Sequence, residues 1–423
     1  MIRFLPFFVL LSGALFAQPQ NPYTVPEYAP SKAVLVEWDF NNNTWDLYSE
    51  LIAHCREAVE VVCVVRDAGE EADITQRLTA DGVSTDNVSF VYVPCERMWI
   101  RDHGPFAVQT SNGVAFMDFN DKADSGLDEN LPTNLALEWS LDFYQRTWTF
   151  DGGNLLVDSY GTLFCTHGLY DNNPGMTQQA IAQDLENYMG INRVVALKRQ
   201  HDDYWAHIDM QAKLLDDSTF VLSSVSFGHP NYDSLEYNFQ LLAGLETHEG
   251  KPYRIRRLPH ADDWKTYANA LILNNTVIVP VYDHPNDSLA ISTYAELLPN
   301  HNLKTLNCNK IIGWEGALHC ITMQLFDENN LVSTELPSLL QDMQLTVVPN
   351  PVISGSPVGL KIADGSTMSG TVSISDALGR LRHEERLSRL QDEYLIYADL
   401  EPGLYYIQVR SAQGVASVSF VVY

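Results

Sequence analysis

The chain has 423 residues, 54 of them Asp or Glu against 26 Lys or Arg, for a formal charge of −28. Such an acidic chain disfavours nucleic acid as a partner and suits the attraction of a small cation. Six cysteines, Cys55, Cys63, Cys95, Cys165, Cys308 and Cys320, are widely spaced without a C-x-x-C pair, which excludes a dense disulfide framework and leaves room for a working thiol.

The first residues, MIRFLPFFVLLSGALFA, place one early cation, Arg3, before an apolar run that ends in small residues. They read as a signal peptide over 1–17, cut after Ala17, and no other run reaches the length of a membrane span. The mature chain is expected to be secreted or surface-held, by way of the periplasm, with no span of its own.

The segment from there to residue 344 exceeds a single simple core, so a repetitive architecture is expected. Period-2 segments joined by short turns recur as FAVQTSNGVAFMDF (106–119), NLLVDSYGTLFCT (154–166), AKLLDDSTFVLSSV (212–225) and NALILNNTVIVPVY (269–282). In a fifth, HCITMQLF (319–326), one strand is legible, and VLVEWDF (34–40) completes it by joining the chain ends. Amphipathic helices such as MTQQAIAQDLENYMGI and PNDSLAISTYAELLPN lie between hairpins and lead into further strands. Five hairpin-plus-helix units account for the length.

A potentially reactive residue stands at each hairpin entry. MWIRDHGP carries Trp99 and Asp102, FDGGN carries Asp151 and Asn154, and DDYWAHIDM carries Tyr204, His207 and Asp209. Asn269 opens the fourth hairpin and Cys320 the fifth. His207 and Asp209 are read as strand residues two apart on one face. Units packed about a pseudo-symmetry axis would bring all of these into one cavity. Cys55, Cys63, Cys165 and Cys308 read as core, and Cys95 as core or loop support. His54, His103, His201 and His319 read as neighbours of the motifs, and Glu315 as a rim contact. Asp124 and Asp128 read as ordinary surface carboxylates.

Two carboxylates beside a thiol repel a thiolate, which suits a peptidase poorly. They suit a substrate carrying a planar guanidinium, which carboxylates grip in bidentate fashion. Asp102 and Asp209 would hold it against Cys320 Sγ, its charge would favour the thiolate, and His207 would serve as general acid and then base. The chemistry calls for no metal and no cofactor. A cysteine peptidase and an exported adhesin or binding protein are the rival readings.

From about Leu345, short strand patterns alternate with Gly, Pro, Asp and Ser, which predicts a small all-β sandwich over 345–423 behind a linker at 331–344. VPNP, SDALGR and LEPGLYYIQV resemble the C-terminal sorting domain of type IX secretion in Bacteroidetes, although the chain ends SFVVY where that family usually ends in basic residues. The resemblance implies the type IX machinery as a partner.

Over 25–330, the motifs MWIRDHGP, FDGGN, AHIDM, VPVYDHPNDSLAI and GALHCITMQ resemble the bacterial Porphyromonas-type peptidylarginine deiminase and agmatine deiminase family. The resemblance implies the five-bladed pseudo-symmetric α/β propeller of guanidino-modifying enzymes and a hydrolase that turns peptidyl-arginine into peptidyl-citrulline and ammonia. Agmatine or free arginine is the alternative substrate. It also implies Cys320 as nucleophile, His207 as acid and base, Asp102 and Asp209 as guanidinium ligands, and Asn269 as support. Tyr204 matches the secreted branch. The arginine pair of that branch is missing after the first hairpin, where DFNDKADSGLDENLP offers Lys122 as its cation.

Overall fold

The computed structural model describes residues 18–38, 43–123, 126–261, 264–326, 345–362, 370–376, 381–387, 393–396, 400–411 and 414–423. The predicted signal peptide (1–17), the predicted linker (331–344) and Asp124 lie outside the described residues. The chain divides into two compact units, residues up to 330 and residues from 331.

The first unit is mixed α/β, and its described residues form five separate open sheets. Four follow one plan: an antiparallel hairpin, a helix, then a strand that returns parallel to the second hairpin strand. The hairpins are Phe106–Thr110 with Gly113–Asn120, Leu156–Val157 with Thr162–Thr166, Ala212–Asp216 with Thr219–Ser224, and Leu271–Leu273 with Thr276–Val281. The returning strands are Asp142–Thr149, Arg193–Leu197, Arg254–Pro259 and Asn302–Asn307. A parallel return needs a crossover, which is the service each helix performs. The sequence pattern predicted the hairpins and helices; the parallel strand that completes each unit is what it had left as a mere sequel to the helix.

The fifth sheet joins the chain ends. Met323–Phe326 pairs antiparallel with Ser31–Glu37, Met323 opposite Leu35, and Glu60–Val65 and Val88–Tyr92 extend the sheet in parallel.

The helix Gln178–Met189 shows how local sequence sets these elements. Thr177 accepts the Ala180 amide at its start, and Ile181, Leu185, Tyr188 and Met189 form the buried face. Burying each such side chain is worth about 1.5–3 kcal/mol. The helix stops at Gly190, whose φ of +70° is left-handed and where a Cβ would lie 2.0 Å from the Pro22 carbonyl oxygen. The N-terminal segment thereby runs close against the helix end. Thr24 Oγ1 donates to the Met189 carbonyl at 2.8 Å, and Tyr23–Thr24 pairs with Val108–Gln109.

In the second unit the described residues form strands in two sheets. One orders Leu345–Val347, Val358–Ile362 and Glu393–Ile396; the other orders Leu381–Leu387, Gly370–Asp376, Gly403–Ser411 and Gly414–Val422. Val358, Leu360, Val372, Ile374, Ile407, Val409 and Phe420 pack between them.

Candidate active site

Every hairpin entry but the fourth is a single helical turn. Asp102 lies in Ile100–His103, Asn154 in Gly152–Asn154 with Asp151 at its cap, Asp209 in Ile208–Met210 with His207 at its cap, and Cys320 in His319–Ile321. His207 and Asp209 are therefore not strand neighbours on one face. The turn aims them in different directions, His207 at Asp102 and Asp151, and Asp209 at His319 and Cys320. The two groups remain within electrostatic reach of each other.

Cys320, His207, Asp209, Asn269 and Asp151 are all buried. Asn269 Nδ2 lies 3.3 Å from Cys320 Sγ while its Oδ1 accepts the His319 amide at 2.8 Å, so one side chain fixes both the thiol and the turn that carries it. Asp209 Oδ2 lies 3.8 Å from the thiol and 2.7 Å from His319 Nδ1. His207 Nε2 meets Asp151 Oδ2 at 3.0 Å, and its Nδ1 faces Asp102 Oδ1 at 3.5 Å. Asp102 Oδ1 and Asp209 Oδ1 are buried without a hydrogen-bond partner. Among the described residues other buried carboxylate oxygens also lack a partner, but these two belong to the carboxylates whose charges bear on the Cys320 thiol.

The turns are pinned by residues that the sequence reading gave no role in the site. Arg101 Nε donates to the His319 carbonyl at 3.3 Å, which ties the Asp102 turn to the Cys320 turn. On the other side of Asp102, His103 Nε2 meets Glu37 at 2.8 Å. A Cβ on Gly153 would lie 2.5 Å from His207 Nδ1 and 3.1 Å from Asp102 Oδ1, so only glycine lets these two come together. Gly316 likewise faces the Trp99 ring at 2.3 Å from its Cβ position. The D-G-G-N string and the Gly-rich approach to Cys320 were the available signals. Nothing in PYTVPEYAP marks Glu27, whose carboxylate meets His319 Nε2 at 2.8 Å and the buried Lys213 at 2.6 Å.

Asn154 holds its own turn, its Oδ1 accepting the Thr166 amide at 2.7 Å. Tyr204 is exposed; its carbonyl accepts from Lys122 Nζ, which also sits 4.1 Å over its ring. The Lys122 backbone N donates to Asp151 Oδ1 at 2.8 Å, which steadies the carboxylate that meets His207. Asp128 proves wholly buried rather than a surface carboxylate, held by Arg97 Nε at 2.9 Å. All six cysteines are free and buried. Glu37, His103 and Asp128 offer ligand atoms within 4.8 Å of one another, but the Arg97 guanidinium already lies on Asp128 and on Asp121, and supplies the positive charge there.

The electrostatics oppose a resting thiolate. Burial, then Asp209 and Asp102, push the Cys320 thiol well above its usual range, against smaller pulls from the Ala317 backbone and Asn269. Burial also lifts Asp102 to about 7, His207 drawing it down and Asp151 and Asp209 adding to the rise. For His207, burial disfavours the imidazolium, but Asp102, Asp151 and Asp209 outweigh it and raise the group to about 10. Burial would raise Asp209 too; the His319 bond and charge, with His207 and Lys213, hold it below the ordinary range. The site at rest is thus a neutral thiol, a protonated imidazole and carboxylates in want of a cation.

Residues 23–325 match the family described as Porphyromonas-type peptidyl-arginine deiminase. The chain belongs to this family. Its fold is that of a Porphyromonas gingivalis protein solved as a provisional arginine deiminase, at 26% identity, covering 72% of this chain and 98% of that one with a TM-score of 0.65. It is also similar in fold to the agmatine deiminase of Enterococcus faecalis, at 18% identity over 73% of this chain and 96% of that one, with a TM-score of 0.66. The agmatine deiminase of Ectopseudomonas mendocina is 22% identical over 70% of this chain and 94% of its own length.

Proposed function

We propose that the chain is an exported hydrolase that deiminates a guanidinium, with peptide-borne arginine as its substrate class. The observation that carries this reading is the pair of unpartnered, buried carboxylate oxygens of Asp102 and Asp209 beside a neutral cysteine. A guanidinium between them satisfies both and brings a positive charge to the thiol. Cys320 gives its proton to water as the guanidinium binds, and the thiolate then attacks the central carbon. His207, as imidazolium, gives its proton to the departing nitrogen, and ammonia leaves a thiouronium on Sγ. Neutral His207 next takes a proton from water and the hydroxide adds to the same carbon; the C–S bond breaks as the added oxygen's proton passes to the sulfur, which gives the ureido product and restores the thiol and the imidazolium. Cys320 carries the covalent step without a cofactor.

The family description and the exposed Tyr204 at the edge of the site, where a chain bearing arginine could lie, favour the peptidyl substrate. Agmatine or free arginine is the second reading, favoured by relatives named agmatine deiminase. We read the five sheets as blades about a pseudo-symmetry axis, residues 1–17 as a signal peptide, and the tail from 345 as a type IX sorting domain that meets the secretion machinery. Incubating the purified protein with arginyl peptides, free arginine and agmatine, and following ureido product and ammonia, tests the reading. Product should form from at least one and vanish in Cys320→Ser. Activity on none of them sinks it.

A further inference from the structure

Glu27 lies far from the motifs in sequence, on the segment that Thr24 and Pro22 tie against the second hairpin unit, and its side chain is 12% exposed. Its Oε2 meets both Lys213 Nζ and His319 Nε2, its Oε1 accepts the Ile272 amide at 3.2 Å, and its carbonyl accepts from Gln324 Nε2 at 3.1 Å. The other nitrogen of His319 meets Asp209 Oδ2. Each ring nitrogen of His319 therefore faces a carboxylate oxygen. Ionised carboxylates only accept hydrogen bonds, so both contacts are satisfied when both ring nitrogens carry protons.

We propose that Glu27 is a positioning residue for the reaction: it holds His319 as a double donor, and His319 in turn fixes Asp209 with Oδ2 engaged and Oδ1 left for the substrate. Asp209 faces the His319 ring, the cations His207, Lys213 and Arg101, and the acidic or neutral groups Cys320, Asp102 and Asp203. Of the basic groups, His319 is the one in direct hydrogen bond, and its other ring nitrogen is the one that meets Glu27. The N-terminal segment is in this way part of the catalytic apparatus, although it touches no reacting atom. Lys213, fully buried in a strand, balances the charge that Glu27 brings in.

The role rests on the deiminase reading above, and the test separates the two. Glu27→Gln keeps the shape and removes the charge. His319→Asn keeps a donor for Asp209, since its amide nitrogen falls where Nδ1 stood, and cuts the link to Glu27. Thermal melts confirm folding, and nitrogen-resolved NMR of the histidine rings reads protonation directly. The wild type should show both His319 ring nitrogens protonated at neutral pH, and Glu27→Gln should lose one. Both variants should raise KM more than tenfold with a smaller change in kcat, and the acid limb of kcat/KM should steepen from one proton to two as Asp209 joins Asp102 in titrating. A singly protonated His319 in the wild type overturns this role, whatever the activity. So do folded variants with wild-type KM and pH profile. A wild type that makes no ureido product overturns the deiminase reading itself, and the role falls with it.

Discussion

Replacing Asp209 by Asn should move two readouts in opposite directions. Its Oδ2 stands 3.8 Å from Cys320 Sγ in a fully buried setting. At an effective dielectric of about 20, a unit charge near that distance is worth about 4 kcal/mol, or about three pH units; closer to water it is worth about one quarter of that. The ligand-free thiol of Asp209→Asn should therefore ionise about one to three pH units lower, because a repelling carboxylate is gone. The new amide keeps an oxygen for His319. Alkylation of Cys320 by iodoacetamide, read peptide by peptide in the mass spectrometer against pH, reports the thiolate. Turnover should fall meanwhile, because the guanidinium loses a charge-assisted bond of about 1.5–3 kcal/mol. At about 1.4 kcal/mol per decade, that is about one to two powers of ten in kcat/KM. Asp86→Asn, at a carboxylate 90% exposed, is the control and should change neither. An Asp209→Asn enzyme whose thiol becomes reactive at the same or a higher pH would refute the reasoning, since the nearest buried charge would then have no hold on the nucleophile.

The pH dependence of kcat/KM should be a bell. It should rise near pH 7 as Asp102 ionises to receive the guanidinium, and fall near pH 10 as His207 loses the proton it must donate; a flat profile across pH 7 argues against Asp102 as a ligand. Gly153→Ala should lower kcat/KM about a hundredfold with the fold retained, because its methyl group displaces His207 from Asp102, and an unchanged rate would mean that their approach is unimportant. A chain ending before Leu345 should fold and keep full activity, since the two units pack separate cores; a folded but inactive truncation would show that the tail helps build the site.

The hairpins and the residues at their entries were legible because strand periodicity and short reactive motifs are local signals. Asp102, His207, Asp209, Asn269 and Cys320 converge as the repeat implied. The local geometry was misread at His207-Ile208-Asp209, where alternation suggests a strand but Ala206, at φ +60°, turns the chain into a single helical turn. Asp128 looked like a surface residue because nothing local announces its pairing with Arg97, 31 positions away. The same holds for Glu27 and Lys213, whose partners lie 292 and 186 positions distant. A buried charge is recognisable only together with the groups that neutralise it, and those are set by the packing of the sheets. Gly153 and Gly316 were visible as letters, but their need for glycine follows from the His207 and Trp99 side chains that lie against them.

The central claim is that the Cys320 sulfur becomes bonded to the guanidino carbon of the substrate. Turnover of an arginyl peptide should be quenched in acid within the first cycles and the Cys320 peptide weighed. The account predicts an added mass equal to the substrate less ammonia, located on Cys320 and absent from Cys55, Cys63, Cys95, Cys165 and Cys308. Ureido product accumulating in active enzyme with no such adduct, or with the adduct on another residue, would contradict it.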